Sequence, residues 1–115
     1  MSDSIQPQQP LSQVVFTHDY VQLVFQESTF TLYNSLSAEI GERQLKQGSV
    51  GFADALVSLI GQRASVQSTS AFHALKLIFE KGLVLQVIHR DPGNLGPEAF
   101  QVHTEDGRIV VEMNE

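Results

Sequence analysis

Hydrophobic and polar residues alternate along three consecutive segments near the start of the chain. A period of two is typical of β-strands that bury one face. Two-residue loops at His18-Asp19 and at Glu27-Ser28 place seven apolar residues on one side, whereas a slip of one residue would scatter them. The pattern predicts a three-stranded meander whose inward residues are Val14, Phe16, Val21, Leu23, Phe25, Phe30 and Leu32.

Residues 72–90 predict a second hairpin. Gly82 ends the loop 80–82, at the position where a three-residue hairpin loop needs positive φ. A two-residue loop would set apolar residues opposite polar ones, so the three-residue loop is preferred. It buries the pairs Leu75–Val87, Leu77–Leu85 and Phe79–Leu83.

A third hairpin is predicted for residues 99–113. Asp-Gly is a strong signal for a two-residue hairpin turn, and it occurs here as Asp106-Gly107. A turn at these residues buries the pairs Phe100–Met113, Val102–Val111 and Thr104–Ile109.

Residues 49–62 have the spacing of an amphipathic helix. Ser49 suits the N-cap and Gly61 suits the left-handed residue that ends a helix. The apolar stripe predicted to face the sheet consists of Phe52, Leu56, Leu59 and Ile60, widened by Ala53 and Val57.

These elements predict an α+β domain: a twisted, mostly antiparallel sheet of about eight short strands with one helix packed on one face. Residues 1–10 are polar and contain two prolines, so they are expected to form a mobile leader before a single domain at 11–115. Residues 35–48 are expected to connect the meander to the helix, with a short strand near residues 36–40. Residues 64–70 are expected to form a weak polar strand at a sheet edge.

Composition and charge narrow the function classes. The chain has 115 residues, no cysteine, seven Lys and Arg residues and thirteen Asp and Glu residues, giving a net charge of −6. The absence of cysteine excludes disulfides and thiolate chemistry and is compatible with a cytoplasmic address. The acidic balance disfavours nucleic-acid binding, and no apolar run is long enough to span a membrane. A partner protein with a basic surface would be attracted, although acidity also serves solubility.

The sequence offers few residues that could form a catalytic or metal-binding site. The register of the second hairpin makes His73 and His89 cross-strand neighbours, so an alternative interpretation is a small metal- or ligand-dependent enzyme that uses this pair. Two imidazoles do not complete a metal site. The interpretation without a functional role is that both residues lie at the end of the hairpin, where the core meets water. No catalytic motif is present, so no catalytic residue and no cofactor is predicted.

The outer face of the meander offers the strongest binding candidates, Tyr20, Gln22 and Tyr33, with Val24 among them. Aromatic rings beside amides and hydroxyls suit a recognition surface, although tyrosine also packs well on ordinary sheet faces. We therefore expect a non-enzymatic protein-interaction or binding domain. A further alternative is a homo-oligomer joined through an edge strand, either residues 64–70 or residues 11–17.

Three segments carry a family resemblance: Leu59-Ile60-Gly61, the strand and turn from Leu75 to Gly82, and Gly96-Pro97-Glu98-Ala99-Phe100. Together with the meander they cover most of residues 14–112. This pattern resembles a broad group of small, uncharacterised bacterial proteins with no assigned reaction. The resemblance implies the same α+β fold. It also suggests an immunity-type inhibitor, because some proteins of this general appearance accompany toxin genes.

Overall fold

Ten strands and one short helix make up the described part of the chain. The computed structural model describes residues 5–68, 73–88 and 98–113, and gives only the backbone of residues 68, 73 and 74. In chain order the elements are β1 (Gln13–Phe16), β2 (Val21–Phe25), β3 (Ser28–Leu32), β4 (Leu36–Ile40), β5 (Arg43–Lys46), α1 (Phe52–Val57), β6 (Ala64–Ser68), β7 (His73–Phe79), β8 (Val84–Ile88), β9 (Glu98–His103) and β10 (Ile109–Met113).

The strands form two antiparallel sheets that share one core. The first sheet has the order β1-β2-β3-β9-β10 and the second has the order β5-β4-β8-β7-β6. The ring of Phe25 in the first sheet stacks on that of Phe79 in the second, with 6.4 Å between centroids. The mostly antiparallel α+β class is confirmed, but the expected single sheet of about eight strands is corrected to ten strands in two sheets. Alternation shows which side of a strand is buried, and it does not show which strand lies beside it.

Asn34 marks the point where the chain leaves the first sheet for the second. Its side chain is 1% exposed, and its Nδ2 donates to the carbonyl of Ile88 at 2.6 Å. Its backbone N–H donates to the carbonyl of Ala99 at 3.1 Å. This residue therefore ties the crossover to a strand of each sheet, since Ile88 ends β8 and Ala99 lies in β9.

Several registers agree with the sequence. Phe16 pairs with Val21 across the loop at His18-Asp19, and Thr17 N–H donates to Tyr20 O at 3.0 Å. The β7–β8 hairpin has the predicted pairs Leu77–Leu85 and Leu75–Val87, and Gly82 has φ 106. The strand expected near residues 36–40 is β4, and its hairpin with β5 fills the segment expected as a connection. The polar strand β6 lies at an edge, as expected.

The β2–β3 turn lies one residue before its predicted position, and this shifts the pairing of the two strands by two residues. Phe25 pairs with Ser28 and Leu23 with Phe30, so the loop is Gln26-Glu27 and not Glu27-Ser28. Gln26 takes positive φ, 61°, although it is not glycine. A shift of two keeps each residue on its predicted face, because side chains alternate with a period of two.

The β9–β10 turn is a correction with larger consequences. Thr104 N–H donates to Arg108 O at 2.9 Å, so the loop has three residues, 105–107, and Gly107 ends it with φ 90. Val110, and not Val111, lies opposite Val102. This shift of one residue reverses the faces of β10, so its predicted inward residues are exposed: Ile109 58%, Val111 43% and Met113 39%.

Helix α1 is shorter than predicted and begins differently. Gly51 occupies the N-cap with φ 92 and no side-chain cap, while Ser49 Oγ donates to the carbonyl of Lys46. Turns continue the chain to Gly61, whose φ of 95 agrees with the prediction. Of the predicted stripe, the residues buried in the core are Phe52, Leu56 and Leu59, whereas Ile60 and Val57 are exposed.

Residues 5–10, which belong to the expected mobile leader, lie against the fold. Ile5 is 6% exposed and belongs to the core cluster. Arg63 Nη1 donates to Gln8 O at 2.9 Å, and Gln8 N–H donates to Glu105 Oε1 at 3.0 Å. These contacts place the segment between the start of β6 and the β9–β10 turn.

Candidate interaction surface

The face of the first sheet that points away from the core gathers the predicted binding residues. The paired registers place residues of five strands in cross-strand rows on this side. We call it the outer face, and its residues are Val15, Tyr20, Gln22, Val24, Thr29, Thr31, Tyr33, Gln101, His103, Ile109 and Val111. Val24, Gln22, Tyr20 and Tyr33 are half-buried there.

Tyr20 and Tyr33 meet edge to face at one end of the outer face. Their ring centroids are 5.9 Å apart and the rings are inclined by 75°. Thr17 fixes the backbone of Tyr20, because its Oγ1 donates to Tyr20 O and accepts from Tyr20 N–H. Tyr33 N–H donates to Ala99 O at 3.0 Å, which holds the second ring beside β9. The two predicted aromatic residues are therefore in contact, and hydrogen bonds hold the backbone of each in place.

The hydroxyl of Tyr33 remains protonated to higher pH than usual. Its pKa is raised from 10.0, first by burial, then by the negative charge of Glu98, and last by Tyr20. The phenol therefore presents a neutral O–H at physiological pH, able to donate or accept a hydrogen bond.

Two glutamines continue the outer face towards β10. Gln22 Nε2 donates to Thr31 Oγ1 at 3.1 Å, and Thr31 is buried beneath it. Gln101 Nε2 lies 2.7 Å from His103 Nε2. Because the amide nitrogen is the donor, His103 Nε2 must be the acceptor, and the proton of the neutral ring then lies on Nδ1. Because Gln22, Thr31 and Gln101 are consecutive in one cross-strand row, they form a polar band between the tyrosines and β10.

The exposed apolar residues of β10, Ile109, Val111 and Met113, complete this side of the sheet, and the sequence prediction missed them. The two-residue turn at Asp106-Gly107 placed them in the core. A signal was present: β7–β8 and β9–β10 both have a loop of the form Glu-x-Gly, at 80–82 and 105–107. The apolar pairing supports the three-residue loop in the first case, whereas in the second the Asp-Gly signal favours the shorter loop.

Charge is divided unequally between the sheets. The first-sheet strands and the turns within their hairpins, residues 13–32 and 98–113, carry six acidic residues and one basic residue, Arg108. The corresponding parts of the second sheet, residues 36–46, 64–68 and 73–88, carry three acidic and four basic residues. The first sheet therefore carries most of the negative charge of the described residues.

Of the predicted histidine pair, only His73 lies within the described residues. The Cα partner of His73 is Ile88, because the register shifts between His73 and Leu75. His89 lies outside the described residues. Within residues 5–68, 73–88 and 98–113, no three His, Asp or Glu residues are grouped closely enough to hold a metal ion. A site that combines His73 and His89 stays a prediction.

A small cleft lies between the N-terminal segment and the β9–β10 turn. Its volume is about 230 Å³, and its lining includes Ile5, Gln8, Thr104 and Asp106. Thr104 Oγ1 donates to Asp106, and together with Arg108 this bond holds the pKa of the Asp106 carboxyl below its usual value. These groups are used within the turn, so the cleft adds no candidate chemistry.

Two negative findings complete the description. None of the helices in the described ranges has the length and apolar character needed to cross a membrane. No family model, curated protein or solved structure matches the chain, so the resemblance to small bacterial proteins stays a prediction.

Proposed function

We propose that the chain is a non-enzymatic protein-binding domain whose outer face binds a basic surface of another protein. The observation that carries the proposal is the Tyr20–Tyr33 ring pair beside a hydrogen-bonded glutamine band, within a sheet that carries six acidic residues and one basic residue. A cytoplasmic, bacterial setting belongs to the same proposal.

The tyrosine pair supplies the anchoring part of such a surface. Tyrosine is enriched among residues that dominate binding energy, because it offers a large apolar ring and a hydroxyl at a small cost in rotamer entropy. Here the two rings lie with their centroids 5.9 Å apart, so each ring restrains the other. Less freedom is then lost when a partner covers them, which favours affinity.

The amides supply directional contacts. A glutamine side chain has two donors and an acceptor oxygen, which is more capacity than the single bonds described for Gln22 and Gln101. The remaining capacity is available to backbone or side-chain groups of a partner. Amides fixed in this way select partners by geometry, while the flanking apolar residues exclude water from the contact.

The acidic charge of the first sheet determines the class of partner. Complementary charge accelerates encounter and disfavours partners of like charge. One specific form is an immunity-type inhibitor that covers a basic active site of a toxin. In this form the acidic residues in the strands and turns of the first sheet, which surround the outer face, would substitute for the anionic substrate that the toxin binds.

A capture experiment with matched variants tests the proposal. The wild-type chain, the variant Tyr20→Ala with Gln22→Ala, and the control Gln44→Ala with Gln67→Ala are each used as bait in lysate from the native host. The control residues are exposed and face away from the core in the second sheet. We expect the wild type and the control to retain one protein with a basic surface, and the outer-face variant to lose it.

The captured protein is then purified and titrated into the chain by calorimetry. The proposal requires a defined stoichiometry and an affinity that falls as salt is raised, because attraction between exposed charges is screened. Equal binding by all three baits, or a partner with an acidic contact surface, would contradict it.

A further inference from the structure

The described sheets have four edge strands, and β10 differs from the others. At β6, the side chain of Gln6 bonds to both backbone groups of Val66. Just before β1, Leu11 exchanges backbone hydrogen bonds with Gly61 and Gln62, and β1 itself exposes one large apolar side chain, Phe16. Strand β5 carries charged or polar residues at three of its four positions. Strand β10 instead presents exposed Ile109, Val111 and Met113, with neither proline nor lysine to discourage pairing.

The backbone of β10 is oriented for pairing. The Thr104 N–H donates to Arg108 O, which places these two residues at a hydrogen-bonded position of the ladder, and such positions alternate along an antiparallel pair. The N–H and C=O groups of Val110 therefore point to β9, whereas those of Ile109 and Val111 point away from it. Within the described part of the chain, no strand lies along the edge of β10 that is opposite β9.

We propose that β10 pairs antiparallel with β10 of a second copy of this chain, about a two-fold axis that passes between the two Val110 residues. In this register Ile109 lies opposite the partner's Val111, and the reverse pair follows by symmetry. Val110 lies opposite the partner's Val110. Arg108 lies opposite the partner's Glu112, so two oppositely charged pairs flank the apolar centre.

Self-complementarity of β10 is the main argument for a second copy as the occupant. Arg108 and Glu112 have opposite charge and lie two residues on either side of Val110. A two-fold operation therefore brings each onto the other, in positions where cross-strand side chains interact directly. Every cross-strand pair in this register is apolar with apolar or positive with negative.

The neighbouring symmetric register is less favourable. Centring the axis on Val111 sets Val110 opposite the partner's Glu112 and leaves Arg108 without that acidic neighbour. It also extends the pairing to Met113, beyond the register shift between Glu112 and Met113 in the β9–β10 ladder. The Val110-centred register uses only residues 108–112, before that irregularity.

Pairing of this kind makes one ten-stranded sheet from two first sheets. Ile109 and Val111 of both copies then form an apolar patch at the centre of a continuous outer face. The inference does not rest on the proposed function, because it concerns the strand edge and is measured with the chain alone. The Tyr20→Ala, Gln22→Ala variant is expected to remain dimeric even if it loses a partner protein.

Charge exchange tests the dimer and its register together. Wild type, Arg108→Glu, Glu112→Arg and the double exchange are compared by sedimentation equilibrium at about 0.15 M salt, where repulsion between the acidic copies is screened beyond roughly 8 Å. We expect a wild-type dimer, a weakening of the dimer by about tenfold in each single variant, and recovery to within a few-fold of wild type in the double exchange.

The double exchange also controls for folding. Arg108 forms an ion pair with Asp106 at 3.0 Å, which Arg108→Glu removes in the single and the double variant alike. Recovery in the double variant therefore reports the contact between copies. A wild-type monomer at about 100 micromolar, or a double exchange no tighter than the single variants, would overturn the proposal.

Proline substitutions separate the two edges of the first sheet. Val111→Pro removes an N–H that points away from β9, so it is expected to abolish the dimer and leave the monomer fold intact. Phe16→Pro on β1 is the matched control and is expected to preserve the dimer. Loss of the dimer in Phe16→Pro alone would assign the contact to β1 and contradict the proposal.

Discussion

The side-chain amide of Gln6 pairs with both backbone groups of Val66: its Nε2 donates to Val66 O at 2.6 Å, and its Oε1 accepts from Val66 N–H at 2.8 Å. A single side chain thus substitutes for a neighbouring strand at the β6 edge. This contact joins residues sixty positions apart.

Gln6→Ala is expected to lower the free energy of unfolding by about 1–2 kcal/mol, because it removes both of these partly buried hydrogen bonds. Urea denaturation followed by circular dichroism measures the change. Gln8→Ala is the control, since that side chain makes an exposed bond of 3.3 Å to Gln6 O. A loss in Gln8→Ala as large as that in Gln6→Ala would show that the Val66 pairing adds no stability.

Gln26→Gly is expected to raise stability by about 0.5–1 kcal/mol, because Gln26 holds φ 61 and glycine adopts positive φ without steric cost. Glu27→Gly, at the other exposed loop position, lacks this benefit and is expected to be destabilising by a similar amount. Thermal unfolding distinguishes the two. A lower melting temperature for Gln26→Gly than for wild type would contradict the positive φ of this turn.

The β9–β10 register is open to direct measurement by nuclear Overhauser contacts. Residues in non-hydrogen-bonded antiparallel pairs have Cα atoms about 4.5 Å apart, so their Hα atoms are close. The structure predicts such contacts for His103 with Ile109 and for Gln101 with Val111. Contacts between Thr104 and Ile109 and between Val102 and Val111 would instead support the two-residue turn and return β10 to the core.

The chain has two tyrosines, so Tyr33 can be titrated alone in a Tyr20→Phe variant by ultraviolet absorbance. We expect its pKa to lie above 10.0, and Glu98→Gln to lower it in part, because burial is the larger cause. Because this pKa is higher in the folded than in the unfolded state, ionisation of Tyr33 opposes folding. The free energy of unfolding is therefore unaffected by Tyr33 below about pH 10 and falls as the pH rises through the folded pKa. A midpoint at or below 10.0 would show that the Tyr33 hydroxyl is solvated.

Local features of the sequence predict some of this fold closely. Gly82 and the apolar pairs around it define the β7–β8 register, because a glycine at the positive-φ position and the alternation favour the same loop. In β2–β3 no glycine marks the turn, and Gln26 takes the strained position instead. The predicted turn was therefore one residue too late and the predicted pairing was wrong by two residues, but each side chain kept its face.

The candidate surface was predicted only in part. The placement of Tyr20, Gln22 and Tyr33 on one face of the sheet follows from alternation in the meander, and the strand registers agree with that placement. The apolar residues of β10 were instead assigned to the core, because the predicted turn was one residue too short. An error of one residue reverses both faces of a strand. The division into two sheets depends on contacts such as Asn34 with Ile88, which join residues 54 positions apart and leave no local pattern.

The most direct test of the outer face as a binding surface is the nuclear magnetic resonance spectrum of the side-chain amides during titration with the purified captured protein. Gln22 and Gln101 lie in the outer face, whereas Gln44 and Gln67 face away from the core in the second sheet. The proposal predicts that the side-chain NH2 signals of Gln22 and Gln101 shift or broaden while those of Gln44 and Gln67 remain unchanged. Perturbation of Gln44 and Gln67 with Gln22 and Gln101 unaffected would contradict it.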